Sequence, residues 1–466
     1  MKNTKIITTI GPNSEGDRTL AKLIESGANI FRFNMKHGEI SWHNEVIERA
    51  QKIANEKHFP LGIMIDLQGP EIRISLEGDL IELEEKEEVY FSSNFIEEEK
   101  VIKVSNPKVL KKLKQGDKLL IDDGFYEFKV LNNENGQVLA QTIRGGRISD
   151  HKGLNIPSQK LDLPSLIKED LEKLDLAAKR EIDYIALSFT RTKTDIQRLK
   201  EEMKKRDIKA EIIAKIENGS ALENLDEIID EADGIMIARG DLGIETPLEE
   251  IAYWQKEIIK RCRKKKTPVI VATQMLESMT ENPLPTRAEV TDVANAIFNG
   301  TDAVMLSGET ATGDYPIEAV KAMNRIITFN EPGADLNSIN FKLNNSTDLL
   351  MNTAVRMIER ANQLDFQAIL VFTKDGATPK LISSLRPKIP IYAITNKKEL
   401  VEKLTICYGI TDKYTVFKNE DLKKPDKVIS KLKEEGELKR GKKVLIFKAQ
   451  HWERPNLSNT LTILEV

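Results

Sequence analysis

The chain has 466 residues, 40% hydrophobic and 31% charged, the composition of a globular protein long enough for two or three domains. Lys+Arg 70 against Asp+Glu 74 leaves a formal charge of −4, so no global field points to nucleic acid or to a membrane surface. Two cysteines, Cys262 and Cys407, give neither a metal spacing nor a disulfide framework, which suits a reducing compartment. No apolar run is long enough to span a bilayer, and the first residues enter a strand-like segment without a signal peptide, so a cytoplasmic protein is expected.

Apolar, β-branched runs recur at residues 5–10, 28–34, 61–67, 183–189, 210–216, 234–238, 268–273 and 303–306. Most lack polar alternation, as strands buried on both faces do. Helical patterns separate most of them. Residues 41–57 carry a stripe of Trp42, Val46, Ile47, Ala50 and Ile53, with Ser41 as the expected cap. Residues 222–232, 247–265, 286–299 and 315–329 read similarly. Strand then helix, repeated eight times, predicts an α/β (β/α)8 TIM barrel.

More than a hundred residues separate the third and fourth runs. Short β-like stretches at 89–91, 118–121, 126–130 and 138–142 alternate there with turns at Gly78, Gly116, Asp123-Gly124 and Asn135-Gly136. This predicts a small inserted β-barrel domain, entered at Gly69-Pro70 and placed as a lid. Beyond the barrel a further α/β pattern begins, with a helix at 349–363 and strands at 368–373, 391–395 and 443–447. The expected division is barrel 1–69 and 161–334, lid 70–160, and C-terminal α/β domain 335–466.

In such a barrel the chemistry sits at the C-terminal ends of the strands. Those ends supply Arg32, Asn34 and Lys36, then Asp66, Ser188, Lys215 and Glu217, Asp241, Thr273, and Ser307 with Glu309. Lys215-Ile216-Glu217-Asn218 and Ala238-Arg239-Gly240-Asp241 bring one cation and two carboxylates to neighbouring strand ends. Two hard oxygen ligands beside an ammonium suit magnesium and phosphate. Amides of the turn at Gly240 and Gly243 could bind a carboxylate. Arg73 stands at the hinge of the lid, where a guanidinium could reach phosphate from above. Thr273 and Ser307 remain open between helix capping and contact with a reacting carbon or carboxylate. His37 and His43 have no Ser or Cys partner at motif spacing, and a structural polar role suits them better. There is no nucleophile elbow, P-loop or dinucleotide fingerprint.

These residues bring the chain to a known family. It resembles the pyruvate kinases over essentially its whole length, through Thr8-Thr9-Ile10-Gly11-Pro12, Arg32-Phe33-Asn34 with His37-Gly38, 69–73, Asp122-Asp123-Gly124, 215–218, 238–243, 273–279, Pro285-Thr286-Arg287-Ala288-Glu289 and 306–310. The resemblance implies a barrel, a β-barrel lid and an α/β domain carrying effector control. It also implies phosphoryl transfer from phosphoenolpyruvate to ADP, giving pyruvate and ATP, in a homotetramer. By position, Glu217 and Asp241 would hold Mg2+ (or Mn2+), and Lys215 would stabilise the phosphoryl in flight. Arg32 would contact the phosphoryl, while Arg73 and Lys152, with Pro12 and His37, would meet the nucleotide. The turn Ala238, Arg239, Gly240, Asp241, with Thr273, would hold the substrate carboxylate; Thr273 would also assist enolate protonation through water and Ser307.

Three departures from the family pattern carry expectations. Its Phe-Ser-His-Gly is Met35-Lys36-His37-Gly38 here, and that serine helps ligate K+ with residues matching Asn34, Asp66 and Leu67. With period-two alternation Lys36 leans to the side of Arg32 and Asn34, so its ammonium is expected to pair with Asp66 and to replace potassium. Second, Asp66-Leu67-Gln68-Gly69-Pro70 stands for Asp-Thr-Lys-Gly-Pro; the threonine acts through its carbonyl, which Leu67 retains. Third, the effector loop reads Thr373-Lys374-Asp375-Gly376-Ala377-Thr378, where Asp375 sets a negative charge against phosphate. Two competing readings need less of this constellation: a magnesium-dependent enolate lyase on the same barrel, and a non-catalytic homologue acting as a metabolite sensor.

Overall fold

The computed structural model describes residues 2–95, 100–157, 163–334, 336, 347–448 and 460–466. Eight parallel strands close into a barrel in chain order: β1 (Lys5–Ile10), β2 (Ile30–Asn34), β3 (Gly62–Asp66), β4 (Tyr184–Leu187), β5 (Glu211–Ile216), β6 (Gly234–Ala238), β7 (Val269–Ala272) and β8 (Ala303–Leu306). All residues of β3, β4, β6, β7 and β8 are buried, as their unbroken apolar runs predict. Alternation along each strand sorts the core in two. Ile7, Ile30, Met64, Met236 and Ile270 belong to one apolar cluster; their neighbours Ile6, Phe31, Ile63, Ile237 and Val271 belong to another with the surrounding helices.

The helices follow the predicted stripes, with two corrections. Helix Ile40–Glu56 begins with Glu39 at its cap position and no side-chain cap bond, so Ser41 lies inside its first turn rather than capping it. Residues 222–232 are not one helix: Gly219–Glu223 and Leu225–Glu231 are separate, divided at Asn224. Helix Arg287–Asn299 starts as the sequence suggests, with Thr286 and Glu289 forming a reciprocal capping box.

The insertion after β3 forms a seven-stranded sheet in the order Leu154–Asn155, Lys118–Ile121, Tyr126–Glu134, Gln137–Arg144, Glu88–Ser92, Val101–Val104, Ile74–Ser75. Its two edges meet. Arg73 bridges Gly153, Ile74 N–H donates to the Lys152 carbonyl at 2.9 Å, and Leu154 N–H donates to the Ile72 carbonyl at 2.8 Å. The sheet is thereby curled into a small barrel around Phe91 and Phe128, which pack edge to face at 5.3 Å. Three of its strands, at 74–75, 101–104 and 154–155, were not expected; two of them have only two residues, too few to show a period. Gly69 turns the chain into this domain at φ 70°, and a Cβ there would come within 2.8 Å of Phe189 Cδ2. The Asp170 carboxylate secures the hinge, accepting N–H bonds from Gln68 at 3.0 Å, Gly69 at 3.3 Å and Ile167 at 3.1 Å. The expected domain borders at 160 and 335 lie outside the described residues.

A four-stranded sheet ordered Ile391–Ile394, Phe366–Phe372, Lys443–Lys448, Thr460–Glu465 builds the C-terminal region, and its last strand runs antiparallel to Lys443–Lys448. This region docks on the N-terminal ends of the barrel strands. Lys5 at the start of β1 pairs with Asp412 at 2.6 Å, and Tyr184 at the start of β4 donates its hydroxyl to the Lys403 carbonyl at 2.8 Å. Among the described residues, no helix is long and apolar enough to cross a membrane.

Candidate active site

At the opposite, C-terminal ends of the strands a cavity of about 480 Å3 opens between barrel and lid. Asp66, the last residue of β3, lies at its floor with 1% exposure. Arg32 of β2 grips one carboxylate oxygen through Nε at 2.8 Å and Nη2 at 2.7 Å; its Nη1 donates to Thr9 Oγ1 at 2.9 Å. Lys215 of β5 approaches the other oxygen at 3.4 Å, donates to Ser188 Oγ at 2.8 Å, and pairs with Glu217 at 2.7 Å. Glu217 also accepts the Phe189 N–H at 2.7 Å.

Burial and charge compete at each of these groups. Burial disfavours the Lys215 ammonium, but Asp66, Glu217 and Asp241 override it and raise its pKa. Burial likewise opposes ionisation of Asp66, and Lys215 with Arg32 reverses that, so its pKa falls. At Glu217 burial prevails over Lys215, Asp241 adds repulsion, and the pKa rises. Asp241 shifts upward too, through burial, although Lys215 and Lys36 pull the other way. Two fixed cations thus face a pair of carboxylates whose ionisation burial opposes, a penalty that a divalent ion would relieve. Among the described residues no three His, Cys, Asp or Glu side chains converge as a ligand cage. The Glu217–Asp241 pair fits a magnesium ion that keeps waters and substrate oxygens in its shell.

Other expected residues take different places. Asn34, Lys36, His37 and Leu67 line the cavity with Arg32, Asp66, Lys215, Glu217 and Asp241. Thr273, Ser307, Pro12, Arg73, Lys152 and the Ala238–Gly240 backbone are not among its lining groups. Thr273 sits at φ 66°, where its Oγ1 accepts the Gly240 N–H at 2.9 Å and donates to the Ala272 carbonyl at 2.7 Å. Ser307 has a buried hydroxyl that bonds to nothing among the described residues. Glu309 accepts N–H bonds from Ser307 at 2.6 Å and Leu276 at 3.0 Å, fixing the loops after β7 and β8 together. The Arg239 guanidinium turns away to Asp292 at 2.7 Å and does not line the cavity. Arg73 pairs with Glu71 at 2.8 Å and Lys152 with Asp122 at 3.0 Å, both at the rim; Pro12 is exposed in the turn after β1. His37 is held below its usual pKa by burial and by the charges of Lys36 and Arg73.

Lys36 corrects an expectation. It faces the cavity, yet its partner is Glu71 at 3.0 Å and not Asp66. Both Asp66 oxygens are already engaged by Arg32 and Lys215, so the longer reach to the lid hinge wins. Sequence reasoning missed Glu71, Asp123 and Glu245, which also line the cavity. Glu245 stands one helical turn after Asp241 in helix Arg239–Glu245, and that spacing was the available signal. Burial, opposed by a hydrogen bond from Asn155 of the lid and reinforced by Asp241, raises its pKa to about 7.

Comparison with known proteins agrees with this architecture. The model described as pyruvate kinase, barrel domain, matches residues 1–320, and that of the pyruvate kinase alpha/beta domain matches residues 352–464. A pyruvate kinase of Geobacillus stearothermophilus is 38% identical over 452 residues, covering 96% of this chain and 77% of that protein. One from Clostridium perfringens is 37% identical, with 90% of each chain covered. The crystal structure of a pyruvate kinase from Cryptosporidium parvum superposes with a TM-score of 0.91 at 33% identity, covering 100% of this chain and 96% of that one. Barrel, barrel-like lid and α/β domain therefore come with sequence identity along nearly the whole chain, and the chain belongs to the pyruvate kinase family of phosphotransferases.

Proposed function

We propose that Lys215, Arg32, Glu217 and Asp241 carry the family's reaction, transfer of the phosphoryl group of phosphoenolpyruvate to ADP. The observation behind this reading is the Lys215 ammonium, fixed 2.7 Å from Glu217 and 3.4 Å from Asp66, with Arg32 clamped to the far side of that aspartate. A loose phosphoryl-transfer transition state spreads charge over three oxygens, so catalysis is alignment plus charge neutralisation. Lys215 and Arg32 supply two immobile positive charges whose reorganisation was completed on folding. Glu217 and Asp241 would hold Mg2+ (or Mn2+), which when bound neutralises phosphoryl oxygens as a Lewis acid.

Transfer leaves the enolate of pyruvate, whose carbon takes up a proton. We assign that delivery to Thr273, through water and Ser307. Gly240, Asp241 and the backbone at 238–239 hold the carboxylate, and Arg73, Lys152, Pro12 and His37 meet the nucleotide from the rim. Formation of ATP and pyruvate on mixing the chain with phosphoenolpyruvate, ADP and magnesium tests this reading; a chain that binds these compounds without turnover would be the sensor instead.

We further propose that potassium is not required. The three groups expected to ligate it are engaged. Asp66 is in ion pairs, the Leu67 carbonyl accepts the Ser188 hydroxyl at 2.7 Å, and Asn34 Oδ1 accepts the Lys36 N–H at 3.2 Å. Lys36 brings its own charge to the same corner. A cytoplasmic homotetramer is proposed on family grounds. Exposed Leu248, Tyr253 and Phe329 on the outer barrel suit burial between subunits, and light scattering gives the mass.

A further inference from the structure

A second cavity lies far from this site, where the floor of the barrel meets the C-terminal region. It measures about 10 Å3, room for about one water-sized particle. Four cations line it, Arg263, Lys266, Lys380 and Arg386, against a single carboxylate, Asp302. That carboxylate is fully engaged. Oδ2 accepts Arg386 at 2.6 Å and the Val269 N–H at 3.0 Å, and Oδ1 accepts the Tyr408 N–H at 3.1 Å. Arg386 directs its remaining donors to the Gly300 and Ser383 carbonyls, and Lys380 is paired with Glu211 at 2.7 Å.

Arg263 is the exception. It comes from helix Ile251–Lys265 and is 4% exposed, and the acid that attracts it among the described residues, Asp302, is already held by Arg386. One terminal nitrogen donates to the Leu336 carbonyl at 2.7 Å; its Nε is buried and makes no hydrogen bond among the described residues. Burial and the neighbouring Arg386 pull its pKa down to about 9. A buried guanidinium with an unused donor and only a shared carboxylate opposite it is unfavourable, and such a group calls for a bound ion or water.

We propose that this cavity binds one monatomic anion, chloride, between Arg263 Nε and Lys266, so that it joins the barrel floor to the C-terminal region. Size selects the class. Chloride is larger than water but far more compact than a tetrahedral oxyanion, and it enters once the exposed Lys266 side chain gives way at the mouth. Charge selects chloride over water, because water satisfies Nε but leaves the excess of cations uncompensated.

Crystals soaked in sodium bromide test the site directly, with an anomalous peak expected beside Arg263 Nε. In solution, thermal melts compare sodium chloride with sodium gluconate at equal ionic strength. Specific binding raises Tm on the order of 2 °C for each tenfold increase of chloride. Arg263→Met removes the response. Should that variant fail to fold, Lys266→Ala at an exposed position keeps the test, with reduced bromide occupancy and a smaller chloride response. No bromide peak, or an equal chloride response in wild type and Lys266→Ala, overturns the proposal.

Discussion

Lys36 and Glu71 form an ion pair at 3.0 Å across the joint between the barrel and the lid. Glu71 also holds Arg73 at 2.8 Å, so one carboxylate links a barrel lysine to a lid arginine. Lys36 places an ammonium, with Glu71 as its counter-ion, at the corner where the family uses potassium. The enzyme should therefore run near its full rate when potassium is replaced by tetramethylammonium. Lys36→Ser should lower activity and make it respond to potassium. Steady-state rates in the two salts decide; a wild-type enzyme inert without potassium refutes the reading.

Removing the charge of either proposed metal ligand should be severe. Glu217→Gln and Asp241→Asn are each expected to reduce kcat by roughly 10²–10³ at ordinary magnesium, the scale of losing one preorganised electrostatic contact. Circular dichroism should show the fold intact. Near-normal rates in both variants would place the metal elsewhere.

Glu245 links pH to stability. Its folded pKa is raised from 4.5 to about 7, chiefly by burial. The folded state therefore binds more protons than the unfolded one between these values, and its contribution to stability falls as pH rises through that window. Glu245→Gln should resemble wild type at pH 4.5 and melt higher than wild type at pH 8. Denaturant midpoints without divalent ions measure this. A variant less stable than wild type at pH 8 would contradict the assignment.

In the loop expected to bind effectors, the Asp375 carboxylate accepts the Ala377 N–H at 3.1 Å, at the start of helix Ala377–Ser384. An anion is thus already built into the helix N-terminus that a phosphate would use. Fructose 1,6-bisphosphate should activate weakly or not at all, and Asp375→Ser should increase the response. Strong saturable activation of wild type at micromolar concentration would sink this idea.

The barrel was legible because its strands are apolar on both faces and end at polar residues, so β1, β6 and β8 coincide with their predicted runs. Strand Thr460–Glu465 was missed, since it lies on a sheet edge where half-exposed residues blur the period. Strand-end placement singled out Arg32, Asp66, Lys215, Glu217 and Asp241, and these five line the cavity. Partners set by tertiary geometry stayed hidden. Nothing local says that Arg239 turns to Asp292, or that Lys36 reaches past Asp66 to Glu71.

We propose that Lys215 serves the phosphoryl group and is not the proton donor to carbon. Its ammonium is locked between Asp66 and Glu217, with its pKa raised, which suits a fixed charge and disfavours proton delivery. The most direct measurement follows one variant, Lys215→Met, through both half-reactions: ATP formation, and exchange of the methyl protons of bound pyruvate with deuterated water. Loss of phosphoryl transfer with exchange retained is the predicted result; loss of exchange with transfer intact would contradict it.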